Sequence, residues 1–276
     1  MSESAIAVLR GVSFSVLGKQ IIPQLSLSIR AGEVLSLVGP NGAGKSTVLG
    51  LLAGDLKADQ GLISLAGKEL GNYSSRELAR RRAVALQDSK VSYAYSVEEV
   101  VRMGRLAWRG SDLERHDDAI VKESLQRTET ANFSHREVTT LSGGEMARTT
   151  LGRVLAQDTK FLLLDEPTAA LDVRHQEAAL TICRQVAESG GAAVVVLHDL
   201  DLAASYSDRM VLLDQGRVVA AGTPEQVCDA ELLSRVYRSP MDVFAHPRTG
   251  RLVVLPARNG SIDAAESLQL SSSGKA

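Results

Sequence analysis

One stretch of nine residues combines a glycine-rich turn with a lysine and two hydroxyl side chains. It reads Gly39-Pro40-Asn41-Gly42-Ala43-Gly44-Lys45-Ser46-Thr47 and matches the phosphate-binding pattern G-x-x-x-x-G-K-[ST]. Glycines let the backbone turn tightly and aim several N–H groups at one anion. Lys45 can then reach the β- and γ-phosphates of a nucleotide, and the Ser46 hydroxyl can bind Mg²⁺. The pattern therefore predicts a site for a nucleoside triphosphate.

A second stretch places two carboxylates at the end of an apolar run. It reads Phe161-Leu-Leu-Leu-Asp165-Glu166-Pro167. Asp165 is positioned to hold Mg²⁺ directly or through water, and Glu166 is the candidate base that polarises an attacking water. Taken alone, such a pair could equally cap the next helix. Its place downstream of the phosphate-binding loop favours the chemical role.

A third stretch, Leu141-Ser142-Gly143-Gly144-Glu145, opens a predicted helix. The start of a helix binds anions, Ser142 offers a hydroxyl, and the two glycines allow a close backbone approach. The same residues could instead form a capping box, in which Ser142 and Glu145 satisfy the first amides of the helix. The chain thus carries one glycine-rich phosphate loop but two candidate phosphate-binding corners.

Short apolar runs predict the strands that must position these residues. Ala5 to Leu9 and Glu33 to Val38 lie before the loop, and further runs follow at 161–164, 193–197 and 210–213. Helices are expected over 45–53, 75–82 and 173–187. Strands that alternate with helices favour a mostly parallel sheet covered on both faces. Residues 88–155 differ, because 97–103, 113–127 and 145–155 read as helices of an inserted segment.

Composition excludes several classes of protein. The 276 residues are 44% hydrophobic and 23% charged, which is enough for a sizeable core, and the net charge of −2 is not that of a basic nucleic-acid binder. Cys183 and Cys228 form no disulfide framework or metal-ligand spacing and are expected to be free thiols. No apolar run reaches the roughly 18 residues of a membrane span, and the first residues resemble no signal peptide, so we expect a cytoplasmic protein.

Together these stretches resemble the ATP-binding subunits of ABC transporters. Leu141 to Glu145 matches the signature motif of that family, Gln87 the glutamine of its Q-loop, Leu171-Asp172 its D-loop, and His198 its switch histidine. Alone, Gln87 would be an ordinary polar residue after a strand and His198 a strand-end histidine. All the motifs occur in the order of the family, and the resemblance spans about 5–237.

The resemblance implies an α/β fold: a P-loop NTPase (RecA-like) core with an antiparallel β subdomain and an inserted α-helical subdomain. One ATP-binding domain is expected over 1–258, with the helical subdomain at about 88–155, and a disordered tail over 259–276. Two copies would enclose two ATP molecules, each Gly39–Thr47 loop facing the Ser142-Gly143-Gly144 corner of the other copy. Glu166, with His198, would drive hydrolysis.

The resemblance also implies a role for each site residue. The catalytic residues would be Glu166, His198 and Lys45, and the Mg²⁺ ligands Ser46, Gln87 and Asp165. The residues expected to contact ATP are Gly39, Pro40, Asn41, Gly42, Ala43, Gly44, Lys45, Ser46, Thr47, Gln87, Ser142, Gly143, Gly144 and Asp172.

Three features depart from the family pattern, one of them the Asp88-Ser89 pair after Gln87, where proline-rich versions of the loop are more common. Many relatives place an aromatic residue about two dozen positions before the loop, where it stacks on adenine, but here the matching positions are Val16 and Leu17, and Phe14 is out of register. Adenine is therefore expected to be held by apolar contact. After the signature, Met146 replaces an amide of the family, whereas Arg148 is kept.

Other pieces of sequence narrow the kind of transporter. The chain has neither fused membrane spans nor the long C-terminal domain of sugar-type subunits, so a separate membrane permease is implied, with the chain at the cytoplasmic face of the membrane. Gly104-Arg105 and the run 154–157 resemble importers of iron chelates, haem and cobalamin, and the stretches 245–250 and 253–256 resemble hemin import subunits in particular. His246 is expected to be a loop histidine and not a haem ligand.

The expected function is therefore ATP hydrolysis that powers hemin import, with a substrate-binding protein as an indirect partner and no nucleic acid. A ferric-siderophore or cobalamin importer, or a soluble ABC ATPase without a permease, remains open. A regulatory module with little turnover is disfavoured, because Lys45, Asp165, Glu166 and His198 are all present.

Overall fold

The computed structural model describes residues 5–86 and 94–257. Gln87 and the predicted disordered tail over 259–276 lie outside these ranges. The described elements, in chain order, are β1 (Ala5–Val16), β2 (Lys19–Arg30), β3 (Glu33–Val38), α1 (Lys45–Ala53), β4 (Gln60–Leu65), β5 (Lys68–Glu69), α2 (Ser75–Ala79), β6 (Ala83–Ala85), α3 (Val97–Arg102), α4 (Asp117–Arg127), α5 (Gly143–Ala156), β7 (Phe161–Asp165), α6 (Val173–Glu188), β8 (Ala192–Val196), α7 (Leu200–Tyr206), β9 (Arg209–Asp214), β10 (Arg217–Gly222), α8 (Pro224–Val227), α9 (Ala230–Tyr237), β11 (Met241–Ala245) and β12 (Leu252–Pro256).

A six-stranded sheet forms the centre of the molecule, in the order β10-β9-β3-β8-β7-β6. Its strands pair in parallel except for β10, which lies antiparallel at one edge. Every residue of β3, β7 and β8 is buried, since helices or the second sheet cover both faces. Apolar runs without alternation are typical of strands in this position. The predicted mostly parallel sheet is confirmed.

A second, antiparallel sheet has the order β2-β1-β4-β5. Its inward side chains, such as Leu9 and Ile29, share one apolar cluster with Leu49 of α1 and Leu163 of β7. The opposite face of the central sheet has its own cluster, which includes Leu180 of α6 and Leu233 of α9. Helix α1 is therefore held from both sheets, and the loop that precedes it is fixed in space.

Helices α3, α4 and α5 pack around a separate small cluster that includes Val97, Val101, Val121 and Leu125. Together with the antiparallel sheet and the central sheet, they confirm the predicted fold class. The expected helix over 113–127 is partly wrong, because residues Asp112–His116 form a 3₁₀ turn and α4 begins at Asp117. Leu113 is exposed, so its side chain does not extend the buried face of α4.

Helix α2 is shorter than the sequence predicts and ends at Ala79, not at 82. The N–H groups of Arg81 and Arg82 both donate to the carbonyl of Leu78, and the chain then enters β6.

The C-terminal elements β10, α8, α9 and the β11–β12 hairpin were not predicted. No described helix is both long enough and apolar enough to cross a lipid bilayer. Cys183 and Cys228 are free and buried, and burial raises their thiol pKa values to about 12 and about 11.

Candidate functional site

The predicted chemical residues meet at one edge of the central sheet. Strands β3, β8 and β7 are neighbours and run in parallel, so their carboxyl ends lie side by side. The Gly39–Thr47 loop leaves β3, Asp165 ends β7, and His198 follows β8 by two residues. Ligands of open parallel sheets bind beyond the carboxyl ends of the strands. This topology explains why residues more than a hundred positions apart form one site.

The loop between β3 and α1 is shaped by its glycines and by a neighbouring turn. Gly39 has φ 143, and a Cβ there would lie 2.1 Å from the carbonyl oxygen of Leu213, so only glycine fits. The N–H of Gly216, in the β9–β10 turn, donates to the Ala43 carbonyl at 3.0 Å. Among the residues that the structure describes, no side chain caps the start of α1 at Gly44. The first amides of α1 can therefore bind a phosphate instead.

Lys45 is 6% exposed and points into this loop. Its Nζ donates to the carbonyls of Gly39 at 2.8 Å and Pro40 at 3.0 Å. Burial lowers the pKa of Lys45, while the nearby carboxylates of Glu166 and Asp165 act to raise it. The ammonium is thus held at the mouth of the loop by neutral carbonyls, which a phosphate can replace with a stronger, charge-assisted partner.

Asp165 is also 6% exposed. Burial raises the pKa of its carboxyl group, and a hydrogen bond from the Ser46 hydroxyl acts in the opposite direction. Within the described residues, its Oδ1 atom is buried without a hydrogen-bond partner. A buried, unpartnered carboxylate oxygen beside a hydroxyl is a suitable pair of ligands for a hard cation such as Mg²⁺. The residues present therefore fit the predicted ion.

Glu166 and His198 form a pair at the same edge. The Nε2 atom of His198 lies 2.5 Å from Oε1 of Glu166. Glu166 adopts a left-handed backbone conformation with φ 51, and its N–H donates to the Val196 carbonyl at the end of β8. Such strain in a residue with a side chain is typical of functional sites. The pairing orients the Glu166 carboxylate from a neighbouring strand.

The Ser142-Gly143-Gly144 corner begins α5, and its capping box is present. The Ser142 N–H donates to Glu145 Oε2 at 2.8 Å, and the Glu145 N–H donates to the Ser142 hydroxyl at 3.3 Å. Ser142 and Gly143 are nevertheless exposed. The capping box suggested by the sequence is therefore confirmed, and it leaves Ser142 and Gly143 open to solvent.

The start of α5 packs against the chain that follows Glu166. A Cβ on Gly144 would lie 3.0 Å from the Ala170 carbonyl oxygen, so the glycine allows this close approach. A cavity of about 250 Å³ lies between the two segments, and its lining includes Met146, Asp165 and Glu166. Met146, which departs from the family pattern, thus borders the carboxylates.

The remaining predicted residues lie nearby or outside the described chain. Asp172 caps α6, because its Oδ1 accepts the His175 N–H at 2.9 Å. Val16 and Leu17 are exposed at the β1–β2 turn, where Phe14 instead packs against the core. Gln87 is not described. The apolar contact expected for adenine stays a prediction.

Sequence reasoning missed the residues that brace this site from a distance. Leu213 and Gly216 shape the phosphate loop, although they lie about 170 positions further along the chain. Glu129 contacts Arg174 and His175, which are the residues that follow the predicted D-loop at Leu171-Asp172. The spacing of Asp172 and His175 is that of a helix N-cap, so the sequence could have indicated this capping bond but not the contacts of Glu129.

A comparison with protein-family models finds that the model for the ABC transporter family matches residues 22–169. The match covers both the glycine-rich loop and the Asp165-Glu166 pair. It therefore spans the parts of the chain that form the edge described above.

Curated relatives cover nearly the whole chain. The Hemin import ATP-binding protein HmuV of Streptomyces coelicolor is 52% identical over 92% of this chain and 91% of its own length. Proteins of the same name from Thermobifida fusca and Gloeobacter violaceus are 48% and 42% identical, over 93% and 91% of this chain and 90% and 94% of their own lengths.

Solved structures show the same fold. A protein described as a metal-chelate type ABC transporter, in an inward-facing conformation, aligns with a TM-score of 0.77 and 26% identity over 92% of this chain and 98% of that chain. CbiO1 of Clostridium perfringens, part of the ABC transporter complex cbiONQ, gives a TM-score of 0.71 and 27% identity over 84% of this chain and 94% of that chain.

Proposed function

The chain belongs to the ABC transporter family, and we propose that it is the ATP-hydrolysing subunit that powers hemin import through a separate membrane permease. The observation that carries the proposal is the meeting of Lys45, Asp165 and the Glu166–His198 pair at one sheet edge. Relatives named as hemin import proteins, 42–52% identical along nearly the whole chain, support the substrate. The proposed domain covers 1–258, with a helical subdomain at about 88–155.

We propose a task for each residue of the site. The amides at the start of α1 and the Lys45 ammonium bind the β- and γ-phosphates. Ser46 and Asp165 would hold Mg²⁺, with Gln87 proposed as a third ligand, and the ion, when bound, would neutralise charge on the phosphates. Glu166 accepts a hydrogen bond from the attacking water and orients it in line with the γ-phosphate. His198 holds the Glu166 carboxylate in that direction.

The exposed Ser142-Gly143-Gly144 corner supports a two-copy arrangement. A helix start with two glycines is suited to an anion, and the hydrogen bonds that the described residues make to the Ser142 hydroxyl and N–H are those of the capping box. We propose that it completes the ATP site of a second copy, in which Asp172 also takes part. The permease dimer would then hold the two copies at the cytoplasmic face of the membrane.

Reconstitution with the permease tests the function. We expect ATP hydrolysis by the full complex in lipid vesicles to rise when a hemin-loaded binding protein is added, and the Glu166→Gln variant to lose turnover by about a hundredfold or more. The same complex is assayed with a ferric-siderophore-loaded protein.

The outcomes separate the alternatives. Stimulation by the siderophore form alone would change the proposed substrate to a ferric siderophore and leave the proposed mechanism unchanged. The likeness to a metal-chelate type transporter supports this alternative. Equal turnover of the wild type and Glu166→Gln would remove Glu166 from its role. Failure to recover any permease with the chain would favour a soluble ATPase.

A further inference from the structure

Glu129 occupies a backbone position that normally takes glycine. Helix α4 ends in a Schellman motif, in which the Thr130 N–H donates to the Leu125 carbonyl at 2.9 Å and the Glu129 N–H to the Gln126 carbonyl at 3.1 Å. This motif puts Glu129 in the left-handed region, with φ 53. A side chain there is unfavourable, and glycine is the usual choice. The glutamate therefore needs a reason other than local stability.

The carboxylate of Glu129 reaches the beginning of α6. Its two oxygens accept hydrogen bonds from Nη2 of Arg174 at 2.6 and 2.7 Å. Nε2 of His175 lies 3.8 Å from Oε2 of the same group. Arg174 and His175 are the second and third residues of α6. Glu129 thus joins the end of α4 to the first turn of α6.

His175 continues this contact to Asp172. Its backbone N–H lies 2.9 Å from Oδ1 of Asp172, and its ring Nδ1 lies 2.8 Å from the same oxygen. These contacts lower the pKa of the Asp172 carboxyl group, with the backbone hydrogen bond from His175 as the largest cause. Two groups of His175, its backbone N–H and its ring Nδ1, thus hold the Asp172 carboxylate in one orientation.

The backbone of Glu129 is held by the helix that carries the Ser142 corner. Nη1 of Arg148, on α5, donates to the Glu129 carbonyl at 2.8 Å. Arg148 lies six residues after Ser142, about 9 Å along the helix axis. One continuous set of contacts therefore runs from α5 through Arg148, Glu129 and His175 to Asp172.

We infer that Glu129 is a positioning residue that fixes Asp172 relative to the Ser142-Gly143-Gly144 corner of the same chain. The inference rests on the proposed function, in which both groups complete the ATP site of a second copy. A purely stabilising role is disfavoured, because Arg174 and Glu129 are exposed and exposed ion pairs contribute little to stability. The strain at Glu129 would exceed that gain.

The variant Glu129→Gly separates positioning from stability. Glycine relieves the left-handed strain, so we expect Tm of the full chain to rise by about 2 °C. The carboxylate is lost, so kcat for ATP hydrolysis in the permease complex should fall about tenfold, by misplacement of the groups that meet the nucleotide. ATP binding to the loop of the isolated chain should keep its Kd, because none of the contacts touches Lys45.

Two further variants control the experiment. Arg238 has φ 54 at the C-cap of α9, so Arg238→Gly makes the same backbone change elsewhere and should raise Tm without lowering kcat. Arg174→Glu should lower kcat in the way that Glu129→Gly does. The double exchange Glu129→Arg with Arg174→Glu re-forms an ion pair and should recover part of the lost kcat.

The results distinguish this inference from the proposed function. An unchanged kcat in Glu129→Gly, or a fall in kcat that follows a fall in Tm, would overturn the positioning role. The proposed function itself fails if the wild-type complex hydrolyses no ATP. It also fails if the Lys45→Ala complex hydrolyses ATP as fast as the wild-type complex does. Hydrolysis that needs Lys45 but ignores Glu129 would refute the positioning role alone.

Discussion

At the scale of single residues, the site holds charges that the free chain does not fully satisfy. Burial raises the pKa of the Asp165 carboxyl group, and its Oδ1 atom is without a partner within the described residues. Burial lowers the pKa of Lys45, and within the described part of the chain its Nζ donates hydrogen bonds to the carbonyl oxygens of Gly39 and Pro40. Both groups are therefore unfavourable for folding and suited to binding. A ligand of opposite charge removes the cost of burying each charged group.

This imbalance predicts that Asp165→Asn stabilises the free chain. The folded pKa of Asp165 lies above its unfolded value, so the folded state binds more protons and stability falls as pH rises through the folded pKa. Above the folded pKa the carboxylate carries the cost of its buried charge, and the neutral amide removes that cost. We expect a higher Tm for Asp165→Asn at pH 7, and a difference that vanishes as pH is lowered toward about 4.

Calorimetry with and without nucleotide checks this prediction. Mg²⁺ with ATP should raise Tm of the wild type more than that of Asp165→Asn, because the variant lacks a charged ligand for the ion. Asp229→Asn serves as the control, since asparagine caps a helix as well as aspartate does and this site is exposed. A lower Tm for Asp165→Asn at pH 7 would show that its charge is favourable in the free chain.

At the scale of elements, the end of α5 is fixed by the segment after α3. Arg105 is 2% exposed; its Nε donates to Asp117 at 2.7 Å, and its Nη1 donates to the Ala156 carbonyl at 3.0 Å. A Cβ on Gly104 would lie 2.3 Å from the Arg153 carbonyl oxygen. The Gly104-Arg105 pair therefore has a structural explanation: glycine allows close packing on α5, and arginine satisfies a carbonyl at its end.

The close packing at Gly104 predicts a large effect of a small substitution. Gly104→Ala should lower the free energy of unfolding by about 2 kcal/mol, because backbone must move to admit one methyl group. Urea denaturation of the full chain measures this loss. Gly71→Ala is the matched control, since a Cβ there meets no atom within 4 Å, and it should be close to neutral. Equal stability of the two variants would mean that α5 shifts freely at this contact.

At the scale of the whole molecule, two kinds of phosphate-binding corner differ in their surroundings. The Gly39–Thr47 loop is braced by β9 and by the β9–β10 turn, and its lysine is buried. The Ser142 corner is exposed and belongs to a helical unit with its own small apolar cluster. Two different half-sites on one chain are compatible with the proposed pair of copies, in which each loop meets the Ser142 corner of the other copy.

This difference predicts a nucleotide-dependent dimer. Glu166→Gln should be a monomer alone and a dimer with ATP and Mg²⁺, because it binds the nucleotide without hydrolysing it. Light scattering after size-exclusion chromatography measures the mass. The double variant Glu166→Gln with Lys45→Ala should stay monomeric under the same conditions, since it loses the phosphate contact. A monomer at saturating ATP in both variants would contradict the paired arrangement.

Local sequence determined most of the chemistry. The glycine-rich loop, the Asp165-Glu166 pair and the apolar runs of β3, β7 and β8 are contiguous patterns, and an unbroken apolar run indicates a strand that is buried on both faces. Because parallel strands end at one edge, these patterns also implied that the groups would meet. The fold class and the family followed from short local patterns together with their order along the chain.

Only the tertiary structure decided how these groups are held. The contacts of Leu213 with Gly39, of Arg148 with Glu129 and of Glu129 with Arg174 join residues far apart in sequence. The left-handed glutamate at the end of α4 and the exposed start of α5 likewise depend on neighbours in space. Local patterns carry backbone preference and burial, but a side chain that braces another element is selected by distance in the folded chain, which no short window of sequence records.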